Sequence, residues 1–492
     1  MTRYYVPEDH KLINTIKESP LFPIANPKSI AFFGASNNYT TMGTIQFMSM
    51  KELGYEGPVY PIHPKETEVL GYQAYKSVMD LPEVPDLAII VLPTRIVCQA
   101  MDECGRKGIK RAVVISGGFK EVGQEGAKME DELKRTADQY GIRFVGPNCI
   151  GVVNPHHKLN PTPFTYDGKP GFIGLASQSG SFVTQMFDYL CTMGLGFSSA
   201  FSVGNEANID LVDCLNYFGA CEKTKVIALY IEGIRRSRAF IETARSIVPK
   251  KPIVALYVGG TEMGSRAGFS HTGALSGPDD LYSGLFRQSG VLRASSLTEL
   301  FDFCWALGSL PAPKGRGLVI QTNSGGPGAN AADAAGRAGL ELSNLSEATK
   351  EKLRPFFPPT ASINNPVDMT FSRNNSDLFS IIPQTLMEDE KADMLLMYFI
   401  AQGRRMELLM KAMGLSEEQA KKQNMKMIET QAESVMRLRD VCSKPIVGYT
   451  YGFPADLLQQ TLTANGFPIF PSPERAVAAI KALTTYYKMI NP

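Results

Sequence analysis

The stretch Gly171-Phe-Ile-Gly-Leu-Ala-Ser-Gln-Ser-Gly180 decides the fold of this chain. Its first six residues are apolar or glycine, which is typical of a strand that is covered on both faces of a sheet. The serine and glycine residues that follow predict a tight turn, and a helical pattern comes next. A strand, a turn and a helix in this order form the repeating unit of a parallel α/β sheet.

The same order of elements recurs along the 492 residues, a length that accommodates about three domains. Apolar strands are predicted at residues 29–34, 59–62, 86–93, 111–116, 143–148, 198–203, 226–231, 252–257, 318–323, 394–400 and 444–449. Their alternation with helices indicates α/β domains with doubly wound parallel sheets. We predict three such domains, at 27–158, 159–312 and 313–492, after an N-terminal extension at 1–26.

The composition disfavours several classes of protein. The chain has 50 Lys and Arg residues against 49 Asp and Glu residues, so its net charge is only +1. This balance, without a basic stripe, predicts no binding to nucleic acid. No apolar run approaches the roughly 18 residues of a membrane span, and the chain starts without an apolar signal region. The 8 scattered cysteines are typical of reduced thiols, so we expect a cytoplasmic protein.

The first domain carries a candidate nucleotide crevice. The segment from Gly34 to Gly43 follows the first strand, where nucleotides bind beyond the carboxyl ends of parallel strands. The G-x-G-x-x-G fingerprint is incomplete, and Lys65 stands where NAD-binding proteins carry an acidic residue. A lysine there suits an extra phosphate, which favours CoA over NAD; a plain surface-loop role for Lys65 is an equal alternative. Ser116-Gly-Gly-Phe119 and Gly146-Pro-Asn-Cys149 end further strands that could line the same crevice.

Two helix starts in the later domains are candidate phosphate sites. Ser177-Gln-Ser-Gly180 and Ser324-Gly-Gly-Pro-Gly328 each open a helix, whose free N–H groups and partial positive charge hold anions. Taken singly, each serine is more typical of a helix N-cap. The presence of both turns, together with the histidine described next, favours the phosphate interpretation.

His271 is the candidate nucleophile. It lies in Arg266-Ala-Gly-Phe-Ser-His-Thr-Gly-Ala-Leu-Ser-Gly277, where small residues allow a phosphate to approach, and it is one of only 5 histidines. An imidazole in such a setting could take up a phosphoryl group. Glu232 ends an apolar strand and could accept one imidazole N–H, which would leave the other nitrogen free to attack phosphorus. A solvated strand end or a structural ion pair explains Glu232 equally well.

Taken in order, the motifs resemble the NDP-forming acyl-CoA synthetase family, which includes ADP-forming acetyl-CoA synthetase and is related to succinyl-CoA synthetase. The resemblance runs from about Lys28 to Tyr487. It is carried by Gly34-Ala-Ser36, Val59-Tyr-Pro-Ile-His-Pro-Lys65, Gly146-Pro-Asn-Cys149, Ser177-Gln-Ser-Gly180, Ser270-His-Thr-Gly273, the stretch 323–328, Asn365-Pro-Val-Asp368 and Phe470-Pro-Ser-Pro-Glu-Arg475.

The resemblance implies a fold and a set of site residues. It implies a Rossmann-like CoA-binding domain followed by two flavodoxin-like ligase domains, and a phosphohistidine at His271 that Glu232 orients. The implied phosphate-binding residues are Ser177, Gln178, Ser179, Gly180, Ser324, Gly325 and Gly326. The implied CoA-binding residues are Gly34, Ala35, Ser36, Lys65, Pro93, Ser116, Gly117 and Asn148. No metal site is expected on this chain.

The resemblance also implies a partner. The chain has no G-x-x-x-x-G-K-[ST] phosphate loop and no segment that looks like the ATP-grasp module of the family. It therefore resembles an α subunit whose β subunit would carry that module with ADP or ATP and Mg²⁺. The implied reaction interconverts acyl-CoA, ADP and phosphate with a small carboxylic acid, CoA and ATP. Residues 1–26 and the polar helical stretch after Gly403 depart from the family pattern.

Three alternatives remain open at this point. The first is a CoA-binding or CoA-transferring protein without phosphoryl transfer, against which His271 and both serine–glycine turns argue. The second is an NAD-dependent dehydrogenase, which the incomplete fingerprint and Lys65 disfavour. The third is a purely structural subunit of a larger enzyme. The pattern does not indicate which acid is the substrate, because a few pocket side chains would decide that.

Overall fold

Two compact units make up the described part of the chain. The computed structural model describes residues 12–264, 266, 277–359, 361–370, 376–400, 403–452 and 454–491. One unit runs as far as Cys191 and again from Leu195 to Leu300. The other comprises Thr192–Gly194 and the chain from Phe301 onward. Within these segments every helix is too short or too polar to cross a lipid bilayer.

The first unit begins with a five-stranded parallel sheet in the spatial order β2-β1-β5-β6-β7. Its strands and a small antiparallel hairpin are β1 (Ile30–Phe33), β2 (Val59–Ile62), β3 (Glu68–Val69), β4 (Tyr72–Gln73), β5 (Leu87–Ile90), β6 (Arg111–Val114) and β7 (Arg143–Val145). The helices are α1 (Leu21–Ala25), α2 (Met42–Glu52), α3 (Thr94–Lys107) and α4 (Gln124–Tyr140). The four residues of each central strand, β1 and β5, are all buried, as their apolar sequence predicts.

The second sheet of this unit has the order β13-β12-β11-β9-β10-β8 and is parallel except for β8. Its strands are β8 (Val152–Val153), β9 (Ile173–Ser177), β10 (Phe197–Ser202), β11 (Val226–Ile231), β12 (Ile253–Tyr257) and β13 (Leu292–Ala294). The helices are α5 (Gly180–Thr192), α6 (Leu211–Ala220), α7 (Ser237–Ile247), α8 (Asp279–Ser289) and α9 (Leu297–Ser309).

The second unit is built on a third parallel sheet of order β15-β14-β17-β18-β19, with β16 also beside β14. Its strands are β14 (Gly317–Thr322), β15 (Glu341–Leu342), β16 (Val367–Asp368), β17 (Met394–Tyr398), β18 (Ile446–Tyr449) and β19 (Ile469–Phe470). The helices are α10 (Gly325–Arg337), α11 (Glu347–Leu353), α12 (Ile381–Glu388), α13 (Gly403–Ala412), α14 (Glu417–Val441), α15 (Leu457–Ala464) and α16 (Pro473–Ile490). Short 3-10 helices in the whole chain are Ile16–Glu18, Val78–Asp80, Lys120–Val122, Pro155–His157, Arg354–Phe356 and Asp377–Phe379.

All three sheets share one topology, which confirms the predicted doubly wound α/β fold. When the main strands of each sheet are numbered along the chain, their spatial order is 2-1-3-4-5, the flavodoxin-like arrangement. The strand order reverses beside the first strand of each sheet, between β1 and β5, β9 and β11, and β14 and β17. Ligands bind outside the carboxyl ends of the strands at such a reversal. The turns around Gly34, Ser177 and Ser324 each follow the first strand of a sheet, so they lie at these reversals.

The first reversal is held by close backbone contacts. Gly34 has a φ of 101°, in the left-handed region that favours glycine, and a Cβ here would overlap the carbonyl oxygen of Val91. Gly43, in the first turn of α2, lies against the carbonyl group of Gly34, and an added Cβ would overlap that oxygen. These two glycines let helix α2 start directly beside the end of β1.

Replacing Gly43 by alanine should therefore destabilise the first unit by about 1–3 kcal/mol, because the new methyl group meets backbone that cannot move aside. Thermal unfolding measured by scanning calorimetry would show a lower transition temperature. Gly336→Ala is the matched control, since Gly336 is an exposed helical residue with open space around its Cβ position. The control should leave the transition unchanged or raise it slightly. Equal transition temperatures for Gly43→Ala and the wild type would contradict the packing argument.

Candidate active site

The residues predicted to bind CoA around the end of β1 form an ordered turn. Gly34, Ala35 and Ser36 directly follow β1, and Ala35 is fully buried. The backbone N–H of Ser36 donates to Oγ1 of Thr44 at 3.0 Å, and that hydroxyl donates to the carbonyl oxygen of Ser36 at 3.0 Å. These bonds join the turn to helix α2.

The loop after β2 carries Lys65 on the surface, where it is exposed. Nδ1 of His63 accepts the backbone N–H groups of Lys65 at 3.3 Å and Glu66 at 2.9 Å, which fixes the loop. Asn37, in the loop after β1, donates to the carboxylate of Glu66 and to the carbonyl oxygen of Glu68. The two loops are thus tied together, and Glu66 is an acidic group at this edge that sequence reasoning missed.

The other predicted CoA-binding residues meet at the carboxyl ends of the next strands. They are Pro93, Ser116, Gly117 and Asn148. The hydroxyl of Ser116 donates to the carbonyl oxygen of Leu92 at 2.5 Å and accepts the Leu92 N–H at 3.0 Å. The backbone N–H of Asn148 donates to the carbonyl oxygen of Ser116 at 2.8 Å. Three strand ends are therefore linked beside the reversal point.

The second sheet is attached to this crevice through the loop at 203–209. After β10, the loop runs beside β7 and the segment that follows it, and it makes three backbone bonds to them. These are Asn205 N to Pro147 O at 2.9 Å, Ala207 N to Gly146 O at 3.1 Å and Ile209 N to Phe144 O at 3.1 Å. The two sheets of the first unit are consequently joined at the edges where their candidate sites lie.

Asn205 extends this connection with its side chain, which is buried. Its Oδ1 accepts Nδ2 of Asn148 at 3.2 Å, and its Nδ2 donates to Glu121 at 2.7 Å and Glu130 at 2.8 Å. Both carboxylates belong to the first domain, and Glu121 also accepts the backbone N–H of Phe119 at 3.1 Å. Sequence reasoning gave no role to Asn205, because its partners are far away along the chain.

Glu130 titrates unusually for a glutamate. It is 6% exposed, and this burial raises its pKa to about 7, although the hydrogen bond from Asn205 opposes the shift. The like charge of Glu121 raises the pKa further. Ionisation of Glu130 therefore costs free energy at the contact between the two sheets, where Glu130 bonds to Asn205.

The two predicted phosphate turns are built alike. The hydroxyl of Ser177, the last residue of β9, donates to the carbonyl oxygen of Ser179 at 2.7 Å and accepts the Ser179 N–H at 3.1 Å. In the third sheet Thr322, the last residue of β14, makes the same pair of bonds with Ser324 at 2.7 and 3.1 Å. Ser324 makes no side-chain cap bond to helix α10, so the N-cap alternative is not supported there. In each turn a hydroxyl on the strand shapes the helix start.

Gln178 joins the first of these turns to Glu232. Its Oε1 accepts the backbone N–H groups of Glu232 at 2.5 Å and Gly233 at 3.0 Å. Its Nε2 donates to the carbonyl oxygen of Gly233 at 2.8 Å and to Oε2 of Glu206 at 2.7 Å. The structure therefore brings together the turn at 177–180 and Glu232, which are distant in the chain and were predicted separately.

Two charged residues near Gln178, the buried Glu206 and the exposed Arg235, were missed by sequence reasoning. Glu206 is buried, has a φ of 52° and accepts the N–H of Leu211 at 2.9 Å. Burial and the nearby charge of Asp210 raise the pKa of Glu206 above its ordinary value. Arg235 donates to the carbonyl oxygens of Asn205 at 2.6 Å and Glu206 at 2.9 Å. A left-handed glutamate is uncommon, and such residues are typical of functional sites.

Two predicted parts of the site are not brought into this geometry. His271 lies outside the described residues. The turn carrying Ser324, Gly325 and Gly326 belongs to the second unit, where Gly325 opens helix α10. Among the residues that the structure describes, no group of three or more His, Cys, Asp or Glu side chains is arranged to hold a metal ion.

Comparison with known proteins identifies relatives of both domains of the first unit and of the whole chain. Residues 28–155 match a CoA binding domain, and residues 170–307 match a succinyl-CoA ligase like flavodoxin domain. The α subunit of ADP-forming acetate–CoA ligase II from Pyrococcus furiosus is 39% identical over 95% of this chain and 98% of its own length. ADP-forming acetate–CoA ligase I from Archaeoglobus fulgidus is also 39% identical, over 94% of this chain and 63% of its own length.

A solved structure shows the same likeness in three dimensions. It is the dinucleotide-forming acetyl-coenzyme A synthetase 1 of Ca. Korarchaeum cryptofilum, in complex with phosphate and ADP. The TM-score is 0.85 at 33% sequence identity, and the match covers 96% of this chain and 97% of that one.

The titration of Glu130 generates a prediction about pH and stability. Because its folded pKa of about 7 lies above the unfolded value of 4.5, the native state binds more protons between these pH values, and stability falls as pH rises through this window. The loss is on the order of 3 kcal/mol. In Glu130→Gln the amide oxygen can still accept Asn205, and this loss should disappear.

Urea unfolding midpoints of the wild type and Glu130→Gln, measured from pH 4.5 to 8, would test this. The stability of the variant relative to the wild type should increase toward high pH. Glu125→Gln on the same helix is the control, since that side chain is 84% exposed, and its curve should run parallel to the wild type. A parallel curve for Glu130→Gln would show that Glu130 does not titrate in this window.

Proposed function

Because this chain belongs to the family of ADP-forming acetate–CoA ligase α subunits, we propose that it is the α-type subunit of an ADP-forming acid–CoA ligase. The enzyme interconverts acyl-CoA, ADP and phosphate with a carboxylic acid, CoA and ATP. The first domain binds CoA, and the second carries the group that takes up phosphate.

The reaction proceeds in three displacements. An oxygen of phosphate attacks the carbonyl carbon of the acyl-CoA thioester, the carbon–sulfur bond breaks, and CoA leaves as the thiol with acyl phosphate as the other product. A ring nitrogen of His271 then attacks phosphorus, the bond between phosphorus and the acyl oxygen breaks, and the carboxylate leaves. Finally, an oxygen of the β-phosphate of ADP attacks the phosphohistidine, the phosphorus–nitrogen bond breaks, and ATP forms.

One observation carries the assignment of the phosphoryl site. The Oε1 atom of Gln178 lies 2.5 Å from the backbone nitrogen of Glu232, so the turn at 177–180 and Glu232 share one corner of the second sheet. The start of α5, with Ser179 and Gly180, supplies donors for the phosphoryl oxygens. Glu232 accepts an N–H of His271 and leaves the other ring nitrogen unprotonated. For Ser324, Gly325 and Gly326 the phosphate-binding role is supported by the resemblance and by the likeness of their turn to the one at 177–180.

CoA occupies the crevice at the reversal of the first sheet. The backbone of Gly34, Ala35 and Ser36 approaches the nucleotide, and Pro93, Ser116, Gly117 and Asn148 line the neighbouring strand ends. Lys65 binds the 3′-phosphate as an exposed cation at the rim of the crevice. This arrangement supports CoA as the nucleotide.

A second subunit completes the enzyme. The P. furiosus relative is named as a subunit alpha, which supports a separate β subunit for this chain as well. We assign to it an ATP-grasp domain that holds ADP or ATP with Mg²⁺, where the phosphohistidine delivers its phosphoryl group. A CoA-binding or CoA-transferring protein without phosphoryl transfer is less well supported, because the relatives of this chain are named as ligases.

Phosphorylation of His271 is the direct test of this function. The chain is incubated with acetyl phosphate, or with ATP and an ATP-grasp partner, and its mass is measured. We expect one phosphate per chain that is labile in acid and stable in base, because a phosphorus–nitrogen bond is hydrolysed in acid. His271→Ala should take up none, whereas the control His156→Ala should behave as the wild type. CoA binding without any phosphate uptake would favour the CoA-binding alternative.

The role of Lys65 can be tested by comparing two ligands. Lys65→Ala should bind CoA roughly fivefold more weakly, as expected for loss of one exposed ion pair worth about 1 kcal/mol. Its affinity for dephospho-CoA, which lacks the 3′-phosphate, should match the wild type by titration calorimetry. Lys76→Ala, another exposed lysine of the same domain, is the control. Equal losses for both ligands would assign Lys65 to another part of the nucleotide.

A further inference from the structure

We propose that Gln178 is a positioning residue: its side-chain amide fixes the backbone that carries Glu232, and Glu206 fixes the amide. This inference rests on the proposed function, in which Glu232 orients His271. The resemblance assigns Gln178 to the phosphate-binding residues, and the present assignment replaces that role.

The hydrogen bonds of Gln178 leave no capacity for a phosphate. A primary amide donates two hydrogen bonds through its nitrogen and accepts two through its oxygen. In Gln178 all four are made inside the protein: two from the N–H groups of Glu232 and Gly233, one to the carbonyl oxygen of Gly233 and one to Glu206. The backbone N–H of Gln178 is also used, by the carbonyl oxygen of Tyr230 at 3.2 Å. Phosphate contacts at this turn therefore fall to Ser179 and Gly180.

Glu206 adds a fourth bond to the three backbone bonds that determine which way the amide faces. Its Oε1 accepts the N–H of Leu211 and its Oε2 accepts Nε2 of Gln178, so the carboxylate presents an acceptor to the glutamine. If the amide turned over, its oxygen would face Glu206 and the carbonyl of Gly233, while its nitrogen would face two N–H groups. The three bonds to the backbone of Glu232 and Gly233 would be lost, so these backbone groups, together with Glu206, hold the amide in a single orientation.

The corresponding turn of the third sheet has no equivalent of the Gln178 hydrogen bonds among the described residues. Asn323 stands there in the place of Gln178, one methylene shorter, between the hydroxyl-bearing Thr322 and Ser324. Its Oδ1 has no hydrogen-bond partner among the described residues. The four hydrogen bonds of the Gln178 side chain, which we call the clamp, are therefore not a general requirement of a strand–turn–helix unit. It occurs in the sheet that carries Glu232.

A double-mutant cycle tests whether Gln178 acts through Glu232. The rate of phosphohistidine formation from acetyl phosphate is measured in a single turnover for the wild type, Gln178→Ala, Glu232→Gln and the double variant. Gln178→Ala should slow the step roughly 100-fold, the size expected for misplacement of a group at the reacting centre. In the Glu232→Gln background the same change should slow it less than about twofold, because its target is already absent.

Exchanging the side chains of Gln178 and Glu206 distinguishes a loss of positioning from a loss of folding. At a pH at which Glu206 is ionised, the carboxylate of Gln178→Glu faces the carboxylate of Glu206, and the step should slow at least as much as in Gln178→Ala. When Gln178→Glu is combined with Glu206→Gln, the amide introduced at position 206 can donate to the carboxylate introduced at position 178. It can also still accept the N–H of Leu211, so part of the rate should return. CoA affinity should stay within about twofold of the wild type throughout. Gln185→Ala, an exposed glutamine on α5, is the control and should react like the wild type.

Hydrogen exchange separates this inference from the proposed function. The amide hydrogens of Glu232 and Gly233 should exchange faster in Gln178→Ala than in the wild type, whether or not the chain accepts phosphate. Unchanged exchange, or equal slowing by Gln178→Ala in both backgrounds, would overturn the positioning role. A rise only in the acetyl phosphate concentration that half-saturates the step, with its maximal rate unchanged, would make Gln178 a ligand of the phosphoryl group instead. A wild type that takes up no phosphate would overturn the proposed function, and exchange would still decide on the clamp.

Discussion

The backbone hydrogen bonds between the loop at 203–209 and the segment after β7 are the constraint on which the first unit depends. They run from Asn205, Ala207 and Ile209 to the segment 144–147, and they fix the end of β10 against the end of β7. Because parallel strands expose their ligand-binding ends at one edge, joining the sheets there brings both candidate sites to a shared border. Asn205 then continues the contact with its side chain, which bonds to Asn148, Glu121 and Glu130 of the first domain.

This border contains two buried carboxyl groups, Glu130 and Glu206, and burying such groups is costly unless they have hydrogen-bond partners. Glu130, Glu206 and Arg235 all have donors or acceptors supplied by the loop at 203–211. Removing Glu130 would take an acceptor from the buried amide of Asn205, and removing Glu206 would take the carboxyl acceptor from the N–H of Leu211. Such a set of bonds positions side chains more sharply than apolar packing does, because hydrogen bonds have direction. The bond from Gln178 to Glu206 and the bonds that Gln178 accepts from the backbone of Glu232 and Gly233 place these residues in this way.

The fold was predictable from local patterns, and the inner structure of the site was only partly so. Apolar runs such as 29–34 and 171–177 are strands because their burial on both faces is written into consecutive residues. The approach of the 177–180 turn to Glu232 follows from the topology once β9 and β11 are neighbours. Asn205, Glu206 and Arg235 were missed, since their roles depend on partners distant in the chain and on a left-handed backbone that no composition signal marks. The role of His271 rests on sequence alone.

The paired hydrogen bonds that the hydroxyls of Ser177 and Thr322 make with the residue two positions on affect the entropy of ligand binding. Each pair of bonds holds the two following residues in a defined turn before the helix begins. The side chain involved is short and has few rotamers to lose. A loop that had to be ordered by its ligand would subtract about 1–2 kcal/mol of binding free energy for each residue frozen. In this chain the turn residues are already ordered when the protein folds, so ligand binding does not lose that free energy. Under the proposed function, a phosphoryl group at either helix start would bind and leave without reshaping the backbone, which suits a group that must be passed on and not retained.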